Sequence, residues 1–284
     1  MKNIIVGITL FNPKLTVVDT VVKNLYDVVD AFVLVDNGSK NIDSIIELIK
    51  TNALKKVHLI KNGKNLGVAK ALNQIVDFVN EQGAKFALTL DQDSVLKAAD
   101  VTEMARHVSP DIALICPRMV DINKAKQKKY KTDLEYVDRC ITSGTLMNLE
   151  VCNKIGKFDE LMFIDYVDFE YCKRVRLAGY KILKINTVEL KHEIGKRTTH
   201  HFLWAKVYPS NHKPERVYYY TRNIYYYLWK FYNKLSFSEK FKERFLLFWK
   251  YFSIIIYEKD KLAKLRSYKK GKKDGKYGIE SGRI

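Results

Sequence analysis

Along the first 120 residues, short apolar runs alternate with stretches whose apolar positions recur at helical spacing. Residues 4–11 form an apolar run closed by Asn12-Pro13, and residues 15–25 read as an amphipathic helix. Residues 31–35 read as a second strand, stopped by the turn signal Asp36-Asn37-Gly38-Ser39. Residues 42–50 read as helix, 56–60 as strand, 67–79 as helix, and 86–90 and 112–116 as further strands. This alternation predicts an α/β fold with a mostly parallel, doubly wound sheet and flanking helices. Beyond residue 140 the pattern is less regular. The polar turn Thr142-Ser143-Gly144-Thr145 precedes an apolar run, residues 159–179 predict a helix with a carboxylate-rich start and a glycine at its end, and 180–190 read as a strand.

In such sheets ligands bind beyond the carboxyl ends of the strands. Thr9 and Asn12, Asp36 and Asn37, Asn62 and Asn65, and Asp91 and Asp93 all sit at those ends. Any one of these pairs is ordinary turn chemistry, but four in register point to a site. In Asp91-Gln92-Asp93 the two carboxylates lie two residues apart and face the same side, a hard-oxygen arrangement suited to Mg²⁺ or Mn²⁺ bridged to phosphates. The run Asp165-Tyr166-Val167-Asp168-Phe169-Glu170 has two readings. Asp165 could cap a helix with Asp168 in its first turn, both favoured by the helix dipole, or a carboxylate here could take a proton from an incoming hydroxyl. His192, after an apolar run, is either structural or a metal or phosphate contact. No GxGxxG loop, terminal Gly-Lys-Ser/Thr, GxSxG elbow or HExxH pair occurs.

Composition adds a second theme. With 47% hydrophobic and 29% charged residues in 284, the chain is globular rather than disordered. Its four cysteines make no CxxC pair, which suits reduced thiols, and the opening residues read as a strand rather than a signal peptide, so a cytoplasmic location is expected. The formal charge of +18 is unevenly spread. Residues 201–284 hold 20 Lys and Arg against 7 Asp and Glu, whereas residues 1–200 hold 30 against 25. In that basic part, Tyr218-Tyr219-Tyr220 and Tyr225-Tyr226-Tyr227 interleave with Arg222 and Lys230, and residues 241–257 mix aromatics with cations. The longest uncharged run in that stretch, 251–257, is far below the roughly 20 residues of a bilayer span. Two domains are therefore expected: a catalytic domain over 1–215 and, over 216–284, basic amphipathic helices that lie on an anionic membrane surface. Packing of those helices on the catalytic domain is the other reading. Lys269 to Lys273 read as a disordered cationic end. Nucleic acid would also answer the charge, but not the acidic strand ends, and is not expected as a partner.

Taken in order, these motifs resemble family 2 glycosyltransferases of the GT-A fold, and within them the bacterial rhamnosyltransferase-like group. The matching residues are Gly7-Ile8-Thr9-Leu10-Phe11-Asn12-Pro13, Val35-Asp36-Asn37-Gly38-Ser39, Asn65-Leu66-Gly67-Val68-Ala69-Lys70-Ala71-Leu72-Asn73 and Leu90-Asp91-Gln92-Asp93-Ser94. Ser143-Gly144, Gly156-Lys157-Phe158-Asp159-Glu160, residues 163–174, His192 and Arg222-Asn223 complete the set, which spans roughly residues 4–230.

The resemblance implies an inverting transfer of a sugar, L-rhamnose from dTDP-rhamnose first, to a glycan or lipid-diphosphate-linked acceptor in cell-surface polysaccharide synthesis. UDP-galactofuranose or a UDP-hexose is the alternative donor. Thr9, Asn12, Asp36, Asn37, Asn65, Gly67, Ala69, Asp91 and Gln92 would bind the nucleotide sugar, with Asp36 meeting the base. Asp91, Asp93 and His192 would hold Mn²⁺ or Mg²⁺, Asp93 most directly. Asp168 takes the base position; the family often has Glu-Asp where this chain has Val167-Asp168, which leaves Asp165 as a second carboxylate. Ser143, Gly144 and Arg222 would lie on the acceptor side. The enzyme would work in the cytoplasm, peripherally at the inner face of the cell membrane, and a homodimer stays open.

Overall fold

A computed structural model describes residues 3–51, 54–121, 130–192, 200–202, 205–207, 209 and 211–278. Its elements run β1 (Ile4–Leu10), α1 (Leu15–Leu25), β2 (Ala31–Asp36), α2 (Ile42–Thr51), β3 (Val57–Lys61), α3 (Val68–Glu81), β4 (Phe86–Asp91) and α4 (Ala98–Arg106). They continue with β5 (Ile112–Asp121), β6 (Leu134–Tyr136), β7 (Thr145–Asn148), α5 (Leu149–Ile155), α6 (Val167–Leu177) and β8 (Lys181–His192). After the small hairpin β9 (His200–Phe202) and β10 (Ala205–Val207) come three helices, α7 (Pro214–Lys230), α8 (Phe237–Ile256) and α9 (Lys261–Lys273). By packing, the chain forms two compact units: 1–160 with 167–193, and 161–166 with 194–284. This division by contacts differs from the domain boundary expected at residue 216, which rests on charge and aromatic content.

The first unit is built on one eight-stranded sheet of order β3-β2-β1-β4-β7-β5-β8-β6. Strands β3, β2, β1 and β4 run parallel, as the alternation predicts, while β7 and β6 run against their neighbours. The parallel strands explain the continuous apolar runs: a strand covered on both faces needs no polar alternation. Ile4, Val6, Ile8, Leu10, Phe32, Leu34, Leu88 and Leu90 are all buried in one core with Val18, Val21 and Leu25 of α1. The strand order reverses between β1 and β4, which makes their carboxyl ends the switch point of the sheet. Across that edge Asp36 of β2 is paired with Leu10 of β1, and Asp91 of β4 with Thr9.

The helix anticipated over 159–179 is shorter. A single 3₁₀ turn occupies Glu160–Met162, and α6 begins only at Val167. Between them Phe163, Asp165 and Tyr166 adopt left-handed backbone (φ 55°, 63° and 67°), so Asp165 does not cap α6, and Asp168 is the helix's second residue.

In the second unit α8 opens with a capping box in which Ser236 and Glu239 exchange hydrogen bonds with each other's backbone. Residues 269–273 are not a disordered end: they complete α9. Gly271 lets α9 lie against α7, since a Cβ there would stand 2.6 Å from the Tyr218 carbonyl oxygen, and Tyr268 is buried. Glu258, fully buried, takes the Lys250 and Lys264 ammonium groups at 2.8 and 2.9 Å. Among the described residues no helix is long and apolar enough to cross a membrane.

Candidate active site

The switch-point edge is assembled largely from polar side chains that hold one another. Asp36, 2% exposed, directs its carboxylate to the backbone N–H groups of Gly38 and Ser39 at 3.0 and 3.1 Å, closing an Asx turn. Asn12, with φ 52°, donates its N–H to the Ser39 hydroxyl and accepts the Lys40 N–H, tying the β1 end to the β2 turn. The Asn37 amide donates to the Gly67 carbonyl at 3.0 Å and accepts from Asn62, which exchanges two hydrogen bonds with Gln74 of α3. Asn65 accepts the Gly67 N–H at 2.9 Å just before α3 begins, and Ala69 is buried in the first turn of that helix. Thr9 is half-buried beside Asp91. The turn residues that looked like four separate signals are therefore one interlocked rim.

The carboxylate pair stands on this rim. Asp91 is half-buried and Asp93 is exposed. Their turn is pinned from two sides. The Gln92 side-chain oxygen accepts the Phe11 N–H at 2.7 Å, and the buried Ser143 hydroxyl accepts the Asp91 N–H at 2.9 Å while donating to the buried Ser94 hydroxyl at 2.8 Å. Gly144 follows in left-handed backbone (φ 77°), its N–H donating to Thr89; a Cβ there would lie 2.9 Å from Pro117 Cγ. Ser143 and Gly144 thus support Asp91 from below rather than presenting groups to solvent.

Asp168 lies beside the loop that carries Ser143 and Gly144. It shares a small cavity of about 10 Å³, at the lower limit for one water, with Thr142, Thr145, Phe158, Cys140 and Cys172. It stands in the first turn of α6. The thiols beside it are held in the protonated form. Cys140 and Cys172 lie 3.8 Å apart, and both are pushed well up, Cys140 foremost by its hydrogen bond to Cys116 and Cys172 foremost by its bond to Cys140, with burial adding to each. All four cysteines are unbonded.

The remaining expected residues fall elsewhere. Asp165 belongs to the second unit and forms an ion pair with Arg216 at 2.9 Å. Arg222 is buried in that unit, where its guanidinium bonds Asn223 and the Leu161 carbonyl and stacks on Tyr219. His192 ends β8 opposite Asp121 of β5, but its side chain lies outside the described residues. Among the described residues no group of three His, Cys, Asp or Glu is gathered that could hold a metal ion. Two aspartates of this kind fit a cation that takes the rest of its oxygen shell from phosphate and water, as Mg²⁺ and Mn²⁺ do.

Sequence reasoning passed over three residues. Phe11, 47% exposed at the β1 end, carries an apolar surface at the rim. Ser94 completes the support of Asp91, and buried Asn73 bonds both the N–H and the carbonyl of Phe158. Ser94 and Asn73 close two of the recognised motifs, and that position was their signal.

This fold, with a carboxylate pair at the switch point, is that of a nucleotide-sugar transferase. Residues 6–164 match the model of glycosyl transferase family 2, and the chain belongs to that family. It is 28% identical over 301 residues to the dTDP-rhamnosyl transferase RfbF of Shigella flexneri, covering 99% of this chain and 98% of that protein. It is also 24% identical to the low-salt glycan biosynthesis hexosyltransferase Agl10 of Haloferax volcanii, over 60% of this chain and 62% of the relative. Among solved structures, the mannosyltransferase PcManGT of Pyrobaculum calidifontis, in complex with GDP-Man and Mn²⁺, superposes with a TM-score of 0.60 at 12% identity, over 82% of this chain and 65% of its own. Residues 1–349 of TarS from S. aureus give 0.59 at 13% identity, over 100% and 83%. The expected GT-A fold and a sugar-transferring enzyme are thus borne out.

Proposed function

We propose that this glycosyltransferase moves L-rhamnose from dTDP-rhamnose to a hydroxyl of a glycan or lipid-diphosphate-linked acceptor during cell-surface polysaccharide synthesis. The observation that carries the donor is the similarity to a dTDP-rhamnosyl transferase along 99% of the chain. A UDP-hexose donor is the second reading, supported by the partial similarity to a hexosyltransferase.

In this reading the rim binds the nucleotide. Thr9, Asn12 and Asn37 line the nucleoside pocket, Phe11 offers its ring to the base, and the Asp36 carboxylate meets the base edge with its remaining lone pairs. Asn65, Gly67 and Ala69 shape a backbone approach for the sugar diphosphate. Asp91 and Asp93 hold a divalent cation, with His192 as a further contact, and Gln92 fixes the turn that carries them. When bound, that cation supplies positive charge to the departing diphosphate. Asp168 accepts the proton of the acceptor hydroxyl as its oxygen attacks the anomeric carbon, so a single displacement inverts the configuration. Ser143 and Gly144 act by holding Asp91, and the ion pair of Asp165 with Arg216 supports Asp168 rather than Asp165 as the base. Residues 1–215 form the catalytic domain in this assignment. Residues 216–284 rest on the anionic inner face of the cell membrane, with the enzyme in the cytoplasm.

The test is release of nucleoside diphosphate across a panel of activated sugars. dTDP-rhamnose with Mn²⁺ or Mg²⁺ is expected to be turned over fastest and chelation to abolish release, while Asp168→Asn lowers kcat by about 10²–10⁴ with donor affinity kept. Faster turnover of a UDP-hexose overturns the donor assignment, and an unchanged kcat in Asp168→Asn overturns the base.

A further inference from the structure

The second unit holds a cavity of about 880 Å³, within the roughly 300–1,000 Å³ of small-molecule sites, to which no role has been assigned. It is formed by α7, α8, α9 and the turn after α9. Tyr225, Trp229, Tyr232 and Phe248 give it an aromatic lining, and among the described residues the charged ones that line it are two cations, Arg244 and Lys276. Arg244 is exposed, and the Lys276 ammonium lies 5.4 Å from the Tyr225 ring centroid. The cavity is preformed: the Tyr268 hydroxyl donates to the Leu247 carbonyl at 3.1 Å, which ties α9 to α8 at its floor. From Phe248 the apolar surface continues along α8 through the exposed rings of Phe245 and Phe241, stacked on each other with centroids 6.4 Å apart.

We propose that this cavity seats one anionic phospholipid of the membrane surface, an acyl chain among the aromatic rings and the phosphate against Arg244 and Lys276. The proposal deepens the membrane reading of residues 216–284 and rests on it. Charge complementarity selects the occupant. An apolar lining that among the described residues is bounded by cations and holds no acid fits a ligand with an apolar chain and an anionic head. A second copy of the chain would instead bring another surface from a segment holding 20 Lys and Arg against 7 Asp and Glu, and like charge opposes it. The exposed aromatic ridge on α8 is suited to the interface that a lipid with one chain in the cavity would belong to.

The experiment uses the full chain and dihexanoyl-phosphatidylglycerol below its micelle concentration, read by tryptophan fluorescence. Saturable binding is expected, with dihexanoyl-phosphatidylcholine at least tenfold weaker. Trp229→Phe should remove the fluorescence change, and the double variant Arg244→Glu/Lys276→Glu should weaken binding at least tenfold. Thermal stabilisation of that variant by dTDP and Mn²⁺ should match the parent, which shows an intact first unit. Equal binding of the two lipids, or an unweakened double variant, overturns the proposal. So does a dimer in sedimentation that the double variant abolishes, or displacement of the lipid by an oligonucleotide at lower concentration than by phosphatidylglycerol itself. Vesicle sedimentation separates the two levels. If parent and double variant pellet equally with anionic vesicles, the cavity assignment falls while the membrane reading stands; if the parent does not pellet, both fall. Neither result bears on donor turnover.

Discussion

Ser143→Ala is the sharpest probe of how the turn carrying Asp91 and Asp93 is held. The Ser143 hydroxyl accepts the Asp91 N–H at 2.9 Å and donates to Ser94 at 2.8 Å, and both serines are buried. Alanine removes the hydroxyl and leaves the Asp91 N–H and the Ser94 hydroxyl without that partner. An unsatisfied buried polar group costs about 1–3 kcal/mol, so the two together should cost about 2–4 kcal/mol, discounted because Asp91 is only half-buried. At about 2–4 °C per kcal/mol for a unit of this size, the melting temperature should fall by about 4–16 °C. The loss has an internal control. Ser94→Ala alone deletes one partner, and Ser94→Ala/Ser143→Ala should be no less stable than Ser143→Ala, because the orphaned hydroxyl is gone as well. The assay is differential scanning fluorimetry with a Mn²⁺ titration of donor turnover, in which the single variant should need more metal for half-maximal rate. A Ser143→Ala protein melting within about 1 °C of the parent, with an unshifted metal curve, would refute the view that this hydroxyl positions Asp91.

Three further outcomes are expected. Glu258→Gln removes the carboxylate shared by Lys250 and Lys264 and leaves two buried ammonium groups unneutralised, a loss of about 3–5 kcal/mol measurable by urea unfolding. His212 is held down to about 4, by burial first and then by the Arg216 and Lys250 charges, so it stays neutral in the fold while the unfolded chain takes up a proton below its ordinary 6.5. Its contribution to stability is present above 6.5 and is lost as pH falls toward 4; melts at pH 7.5 and 4.5 should therefore differ more for the parent than for His212→Gln. Gly144→Ala forces a left-handed backbone and a methyl 2.9 Å from Pro117, and should destabilise by about 1–3 kcal/mol in chemical denaturation.

The parallel half of the sheet was legible because β1, β2 and β4 are covered on both faces, and an apolar run between turn residues leaves few other readings. β6 was not legible: its three residues are all exposed, so no hydrophobic signal marks it. The early start assigned to α6 has a different cause. Asp159, Glu160 and Asp165 look like a helix N-terminus, but the backbone turns left-handed at Phe163, Asp165 and Tyr166, and of these only the aspartate is of a type that favours that conformation. The lysines of α9 read as a solvated end because Tyr268 and Gly271, which carry its packing, are isolated among charges. Within the site, Asp91, Asp93 and Asp168 could be picked out by residue type and position. The support beneath them could not, because hydrogen bonds such as Ser143 to Asp91 span 52 residues and depend on the strand order.

Asn223 of α7 donates from one side-chain amide to the carbonyls of Met162, Ile164 and Asp165, at 2.6, 2.8 and 2.8 Å. Those carbonyls belong to the short stretch of chain that leads directly into the helix bearing Asp168. An amputation of the carboxyl-terminal helices is therefore no neutral trimming: it removes the amide that holds the carbonyls of Met162, Ile164 and Asp165. Any change of surface on α7 would have to leave this single amide in place, which makes position 223 a checkpoint for the path of the chain through residues 162–165.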